Sequence, residues 1–242
     1  MIIPRPHALD VSVSEAREIQ ERMRREVREG PPLDPSRVTR VAGTDLSYLR
    51  EKKVALGVAV LMSYPDLELL EVSSAAREVS FPYVPGLLSF RELPALLPAL
   101  EGLSSPPDLV FVDGQGLAHP RRFGLASHLG VLASLPTIGC AKSRLLGEAE
   151  EPGPEVGDWS PLRYQGETVG AVLRTRRGVK PLYVSVGHLL DLASCMKMAL
   201  SCTRGFRLPE PQRRAHLEAN RLKREVRSRG DAAFPRGGHA EG

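Results

Sequence analysis

Apolar residues recur at helical spacing across residues 12–30, where Ile19, Met23 and Val27 form one stripe. Ser12 and Glu15 stand at capping-box spacing, and Gly30 followed by Pro31-Pro32 ends the pattern. The pattern then changes to three β-like runs, residues 37–48, 54–62 and 67–74. Only the polar Arg50-Glu51-Lys52-Lys53 and a Pro65-Asp66 turn separate them, and connections this short predict an antiparallel meander. After Phe81 the order is a loop (82–86), a helix (87–100) and a strand (109–113), then a helix near 124–135 and an apolar strand at 137–141. The acidic, proline- and glycine-rich stretch 147–166 reads as a surface excursion. Residues 169–174 and 181–186 read as a hairpin turning at Arg177-Gly178. Asp191 is placed to cap a helix to Ser201, and Pro211 opens a last helix. The expected architecture is α/β, with a central mixed sheet of a three-strand antiparallel meander plus parallel strands, flanked by helices.

With 242 residues and 42% hydrophobic content, the chain can bury one sizeable core, which points to one domain with extensions. No apolar stretch approaches the roughly 18 residues that span a bilayer, and the first residues lack the pattern of a signal peptide. A cytoplasmic protein without membrane contact is expected. Cys140, Cys195 and Cys202 are too few and too far apart for a zinc site, so buried, idle thiols are expected. Net charge is only +4, but arginine clusters at Arg17, Arg22, Arg24, Arg25 and Arg28, and again from Arg213 to Arg229. Such clusters suit phosphate contacts, and equally a solvated helical face alternating with glutamate.

Asp113 closes the apolar run Leu109-Val110-Phe111-Val112 and is followed by Gly114-Gln115-Gly116. A carboxylate at a strand mouth calls for a metal ion or hydrogen-bond donors to stay ionised, and the glycines let a ligand approach the main chain. Asp45 is mid-strand, on the same side as Gly43 and Ser47, in a strand that a meander can place beside the one carrying Asp113. Glu92 adds a third acid, either pointing inward with Leu88 or accepting a backbone hydrogen bond in a capping box from Ser89. The loop Pro82-Tyr83-Val84-Pro85 is stiffened by both prolines, and its tyrosine either enters a base stack or packs beneath a turn. Lys142, just past an apolar strand, can face a phosphate oxygen or bridge to a nearby acid. His188 ends a strand and reads as structural. His216, on the last helix, carries no role by itself.

Taken in order, these motifs closely resemble the endonuclease V family: Gly43-Thr44-Asp45-Leu46-Ser47-Tyr48, residues 82–92, Asp113-Gly114-Gln115-Gly116 through Arg122, Ala141-Lys142-Ser143, residues 185–188, and residues 205–211. The likeness runs from about the first helix to His216. It implies an RNase H-like fold and a DNA repair endonuclease that recognises deaminated bases, chiefly deoxyinosine. The cut would fall at the second phosphodiester bond 3′ to the lesion, leaving 3′-hydroxyl and 5′-phosphate ends. Asp45 and Asp113 would be metal ligands, with Glu92 and His216 completing the set, and Lys142 the phosphate-facing cation. Mg²⁺ is the implied cofactor, with Mn²⁺ a substitute that histidine in place of aspartate at position 216 would favour. Pro82, Tyr83, Val84 and Pro85 would form the DNA wedge, and Gly86, Leu88, Gly114, Gly116, His119, Leu125 and Gly139 the lesion pocket. The resemblance implies one catalytic domain over residues 1–222, acting as a monomer, and leaves 223–242 as a basic tail expected to be disordered. Two other readings are an inosine-specific ribonuclease acting on RNA and a non-catalytic lesion-binding protein.

Overall fold

The computed structural model describes residues 1–229. The polar turn after Tyr48 reverses the chain, with Lys53 in the left-handed region, and joins β1 (Arg40–Leu49) to β2 (Val54–Ser63). β3 (Leu69–Glu78) completes the antiparallel meander. β4 (Leu109–Val112) and β5 (Thr137–Ala141) then run parallel to β1, which therefore lies between the meander and the parallel strands. β6 (Trp159–Tyr164), β7 (Glu167–Leu173) and β8 (Leu182–His188) extend the other side, giving one eight-stranded sheet in the order β3-β2-β1-β4-β5-β8-β7-β6. This mixed sheet with helices on both faces is the RNase H-like arrangement.

Helices α1 (Val13–Met23), α2 (Leu88–Glu101) and α3 (Leu125–Ala133) contribute to one apolar layer with Ala42, Val110 and Val112. Phe90, Leu93, Leu96, Leu97 and Leu100 of α2 are buried there, each side chain worth roughly 1.5–3 kcal/mol of burial. Helices α4 (Leu192–Ser201) and α5 (Glu210–Arg229) cover the opposite face, over Val41, Phe111 and Ile138. The expected caps are in place: Ser12 and Glu15 form the capping box of α1, and Asp191 accepts from the Ser194 amide at the start of α4. All three cysteines are free and buried. Among the described residues no helix is long and apolar enough to cross a membrane.

Three expectations are corrected. The first helix stops at Met23, not Gly30, because the chain beyond it pairs with the end of β8: Leu189 N donates to Arg28 O at 2.7 Å and Arg28 N to His188 Nδ1 at 3.2 Å. The stretch 147–166 contains β6, an edge strand that buries only Ser160 and Leu162, carries Pro161 and turns tightly into β7 through Gln165 and Gly166, both with positive φ. Residue 222 is not a structural boundary, since α5 continues to Arg229 and buries Val226 against Leu49 and Leu56. The tail expected to be disordered lies, from residue 230, outside the described residues.

Candidate active site

Parallel pairing of β1 with β4 brings Asp45 and Asp113 to the same end of the sheet centre, and helices from the two faces add the rest. On one face α5 rests on β1 with no side chain between them: a Cβ built at Gly43 would lie 2.1 Å from Pro211 O. One helical turn beyond Gln212, His216 therefore meets Asp45, with Nδ1 2.7 Å from Oδ2. Asn220, one further turn on, donates Nδ2 to His216 Nε2 at 3.0 Å, which leaves the ring proton on Nδ1 to be given to Asp45. On the other face α2 carries Glu92, whose Oε1 accepts from Tyr48 OH at 3.2 Å. The capping-box alternative is thus corrected: Ser89 lies inside α2, and its hydroxyl meets the buried ring of His128 at 2.9 Å.

Lys142 Nζ donates to Asp113 Oδ2 at 2.5 Å, so both readings of this lysine meet in one contact: it bridges to an acid, and that acid is at the site. The loop that carries it is held by Arg207, whose Nη2 donates to Lys142 O at 2.5 Å and to Pro181 O at 2.6 Å. From beneath, Gln212 donates to Cys140 O at 2.8 Å, tying β5 to the first turn of α5.

The acids are close enough to disturb one another. Burial first, and the charge of Asp113 second, raise the Asp45 carboxyl above its ordinary range. Burial is also the main reason Glu92 is pushed up to about 8; Asp45 and Asp113 push the same way, and the Tyr48 hydrogen bond opposes them. As placed, Asp45 is turned toward His216 and Asp113 toward Lys142. Among the described residues no three His, Cys, Asp or Glu side chains close around a common point. The donor chemistry nonetheless fits a hard divalent cation: carboxylate oxygens come from β1, the end of β4 and α2, and those of Asp45 and Glu92 are raised in pKa by burial first and by neighbouring carboxylates second, a repulsion that such a charge would relieve.

Beside Asp113 and Lys142 opens a cavity of about 350 Å³ lined by Tyr83, Gly86, Leu88, Gly114, His119 and Leu125. Its wall is fixed by the Gly86 carbonyl, which accepts from Gln20 Nε2 (3.1 Å), His119 Nε2 (3.0 Å) and Arg121 Nη2 (2.7 Å). His119 donates through Nε2 and accepts the Arg121 amide on Nδ1. Burial and the Arg121 charge lower its pKa to about 4, so it is neutral at pH 7. The loop Pro82–Pro85 is anchored by buried Phe81 and Leu87 and leaves Tyr83 71% exposed at the cavity mouth. Tyr83 therefore does not pack beneath a turn.

Five of the seven expected pocket residues line this cavity. Gly116 and Gly139 lie below it, packed backbone to backbone: a Cβ at Gly116 would be 2.0 Å from Val186 O, and one at Gly139 2.6 Å from Gly116 N. His188 is structural, as expected, and accepts the Arg28 amide. Tyr48, Gln20, Arg121, Arg207 and Gln212 carry parts of the site that sequence reasoning did not single out. Tyr48, Arg121 and Arg207 lay within the quoted motifs. Gln20 had no signal beyond a polar residue one step from an apolar stripe.

The endonuclease V family model matches residues 21–217. An endonuclease V from Methanothrix thermoacetophila is 51% identical over 221 residues, covering 91% of this chain and 96% of its own. The crystal structure of endonuclease V from Streptomyces avermitilis is 44% identical, with a TM-score of 0.85, covering 93% of this chain and 98% of that one. That of Ciona intestinalis endonuclease V, in complex with a 24mer DNA containing an inosine followed by a ribo-adenosine, is 29% identical, with a TM-score of 0.79, covering 88% and 98%. With the acids, the cavity and the exposed tyrosine in the arrangement described, the chain belongs to the endonuclease V family of nucleases.

Proposed function

We propose that this protein recognises deoxyinosine and related deaminated bases in DNA and hydrolyses the second phosphodiester bond 3′ to the lesion, leaving 3′-hydroxyl and 5′-phosphate ends. The observation that carries this reading is the cavity opening directly beside Asp113 and Lys142, under an exposed tyrosine on a rigid loop. It accommodates an everted base next to groups suited to phosphodiester chemistry.

Tyr83 fills the gap left in the stack, and unstacking costs least at a damaged or mismatched pair. The main chain at Gly86 and Gly114 borders the base, and neutral His119 keeps the wall in place without adding charge. Asp45, Asp113 and Glu92 would hold Mg²⁺, or Mn²⁺ in its place, with His216 beside Asp45. A divalent cation held there would supply activation of the attacking water and a positive charge to offset that on the departing 3′ oxygen. Lys142, on the phosphate side of Asp113, offsets the negative charge that builds on the transferring group. The buried free thiols accord with a reducing, cytoplasmic setting.

The ribo-adenosine in the ligand of the Ciona relative favours a second reading, in which inosine-containing RNA is also cut. A strand-cleavage assay tests both, with one deoxyinosine or one inosine placed in otherwise identical DNA and RNA and the cut mapped to single-nucleotide resolution. Cutting immediately 3′ of the lesion's 3′ neighbour, abolished by EDTA, restored by Mg²⁺ and lost in Asp45→Ala and Asp113→Ala, is the expected result. Full cutting by either variant removes the proposed role of the acids. Binding without cutting under every metal condition leaves a lesion-binding protein.

A further inference from the structure

Tyr83 stands between two hollows. One is the cavity beside Asp113. The other, of about 720 Å³, lies between the wedge loop and the β1–β2 turn and is lined by Tyr48, Arg50, Lys53, Pro82, Tyr83 and Arg91, among others. The two are joined through the acids, because Tyr48, which walls the second hollow, donates its hydroxyl to Glu92. Along β1, Tyr48 is three residues past Asp45, roughly 10 Å at strand rise, and Arg50 lies just beyond. A strand that places a base in the first cavity and its scissile phosphate at Asp45 and Asp113 runs next into this groove.

The chemistry of the groove suits such a strand. Arg91 stacks over the Tyr48 ring with its guanidinium carbon 4.8 Å from the centroid and donates to Phe81 O at 2.6 Å, so an aromatic surface and a fixed cation form the floor. Arg50 and Lys53 are exposed at the rim, and among the described residues neither is in an ion pair. The arginines of α5 differ: Arg213 and Arg214 pair with Glu210, Arg221 with Glu218 and Glu225, and Arg227 with Glu51. These four arginines of α5 are engaged in ion pairs, whereas Arg50 and Lys53 are exposed and, among the described residues, in none.

We infer that this groove binds the cleaved strand on the 3′ side of the cut, with Arg50 and Lys53 on its phosphates and Tyr48 beneath a base. The inference rests on the proposed lesion chemistry, and the test keeps the two apart. Single strands with one deoxyinosine are prepared in a short form, ending one nucleotide past the expected cut, and a long form extended by further 3′ nucleotides. Binding of the full chain is measured in EDTA across a salt series, and cutting separately with Mg²⁺. Wild type should bind the long form more tightly. Arg50→Gln/Lys53→Gln should lose that preference, its salt slope on the long form becoming shallower by roughly 1.5, about 0.7–0.9 for each phosphate contact removed. Its affinity for the short form should match wild type. A variant that keeps the long-form preference and slope overturns the inference. So does a loss appearing only when the complementary strand is annealed, which assigns the groove to that strand. Failure of wild type to cut the long form with Mg²⁺ strikes the lesion reading, while the binding ratio still reports on the groove.

Discussion

The carbonyl of Pro211 occupies the space that any side chain on Gly43 would need, 2.1 Å from a Cβ built there. The first turn of α5 is thus seated on bare backbone of β1, and this seating sets His216 against Asp45. Gly43→Ala must push the helix away or distort the strand. The expected cost is about 1–3 kcal/mol of stability, read as a lower denaturant midpoint. Cleavage should fall further than the folded fraction does, because the displaced helix carries His216. A variant of unchanged midpoint and rate would show that the two backbones are not in contact.

Tyr83 is exposed and carries no part of the core, so Tyr83→Ala should leave thermal stability within about 1 kcal/mol of wild type. Loss of a stacking surface worth roughly 1–3 kcal/mol should lower affinity for a paired duplex with one deoxyinosine by about 5- to 150-fold. The same lesion in a bulge, already unstacked, should be affected less. Equal losses on both substrates would assign Tyr83 to general binding.

Arg207 touches neither cavity nor acid, yet it ties the carbonyl of Lys142 to that of Pro181. It is a positioning residue. Charged hydrogen bonds of this kind are worth about 1.5–3 kcal/mol each. Arg207→Gln should therefore reduce kcat by about tenfold or more with little change in KM, and Arg207→Lys should restore part of it. A change confined to KM would place Arg207 in substrate contact instead.

His119 ties stability to pH. Its folded-state pKa is lowered to about 4, by burial first and by Arg121 second. In the unfolded chain it titrates near its ordinary value of about 6.5. Between about pH 6.5 and about pH 4 the unfolded chain binds a proton here that the folded chain refuses, so this contribution is full above that window and lost as pH falls through it. Asp45 and Glu92, with raised values, act in the opposite sense. The comparison with His119→Gln cancels them: wild-type stability should fall more steeply than the variant's as pH drops across the window. Parallel curves would show that His119 is charged when folded.

Much of this was legible before any coordinates. The strands of the meander, both cap residues and the pairing of Asp45 with Asp113 follow from period, polar breaks and short connections, which are local signals. The lapses share a cause. The first helix yields its last turn to a pairing with β8 some 160 residues away, and β6 is stabilised by β7 rather than by its own sequence. The Ser89–Glu92 spacing of a cap was overridden because Ser89 found His128 and Glu92 found Tyr48. In the cavity, the glycines were legible as points of close approach, but sequence could not tell an approach to a ligand from an approach to another strand. Gly114 faces the cavity, and Gly116 and Gly139 face each other and β8.

The acids stand at the meeting of two helices that cover opposite faces of one sheet, and the contact between His216 and Asp45 joins residues 171 positions apart. A chain emerging unfinished, or one frayed at either helix, has no assembled centre at all. Hydrolytic competence therefore arrives with the last long-range docking and departs with the first local opening. For a nuclease, this ties the power to cut to possession of the complete recognition surface.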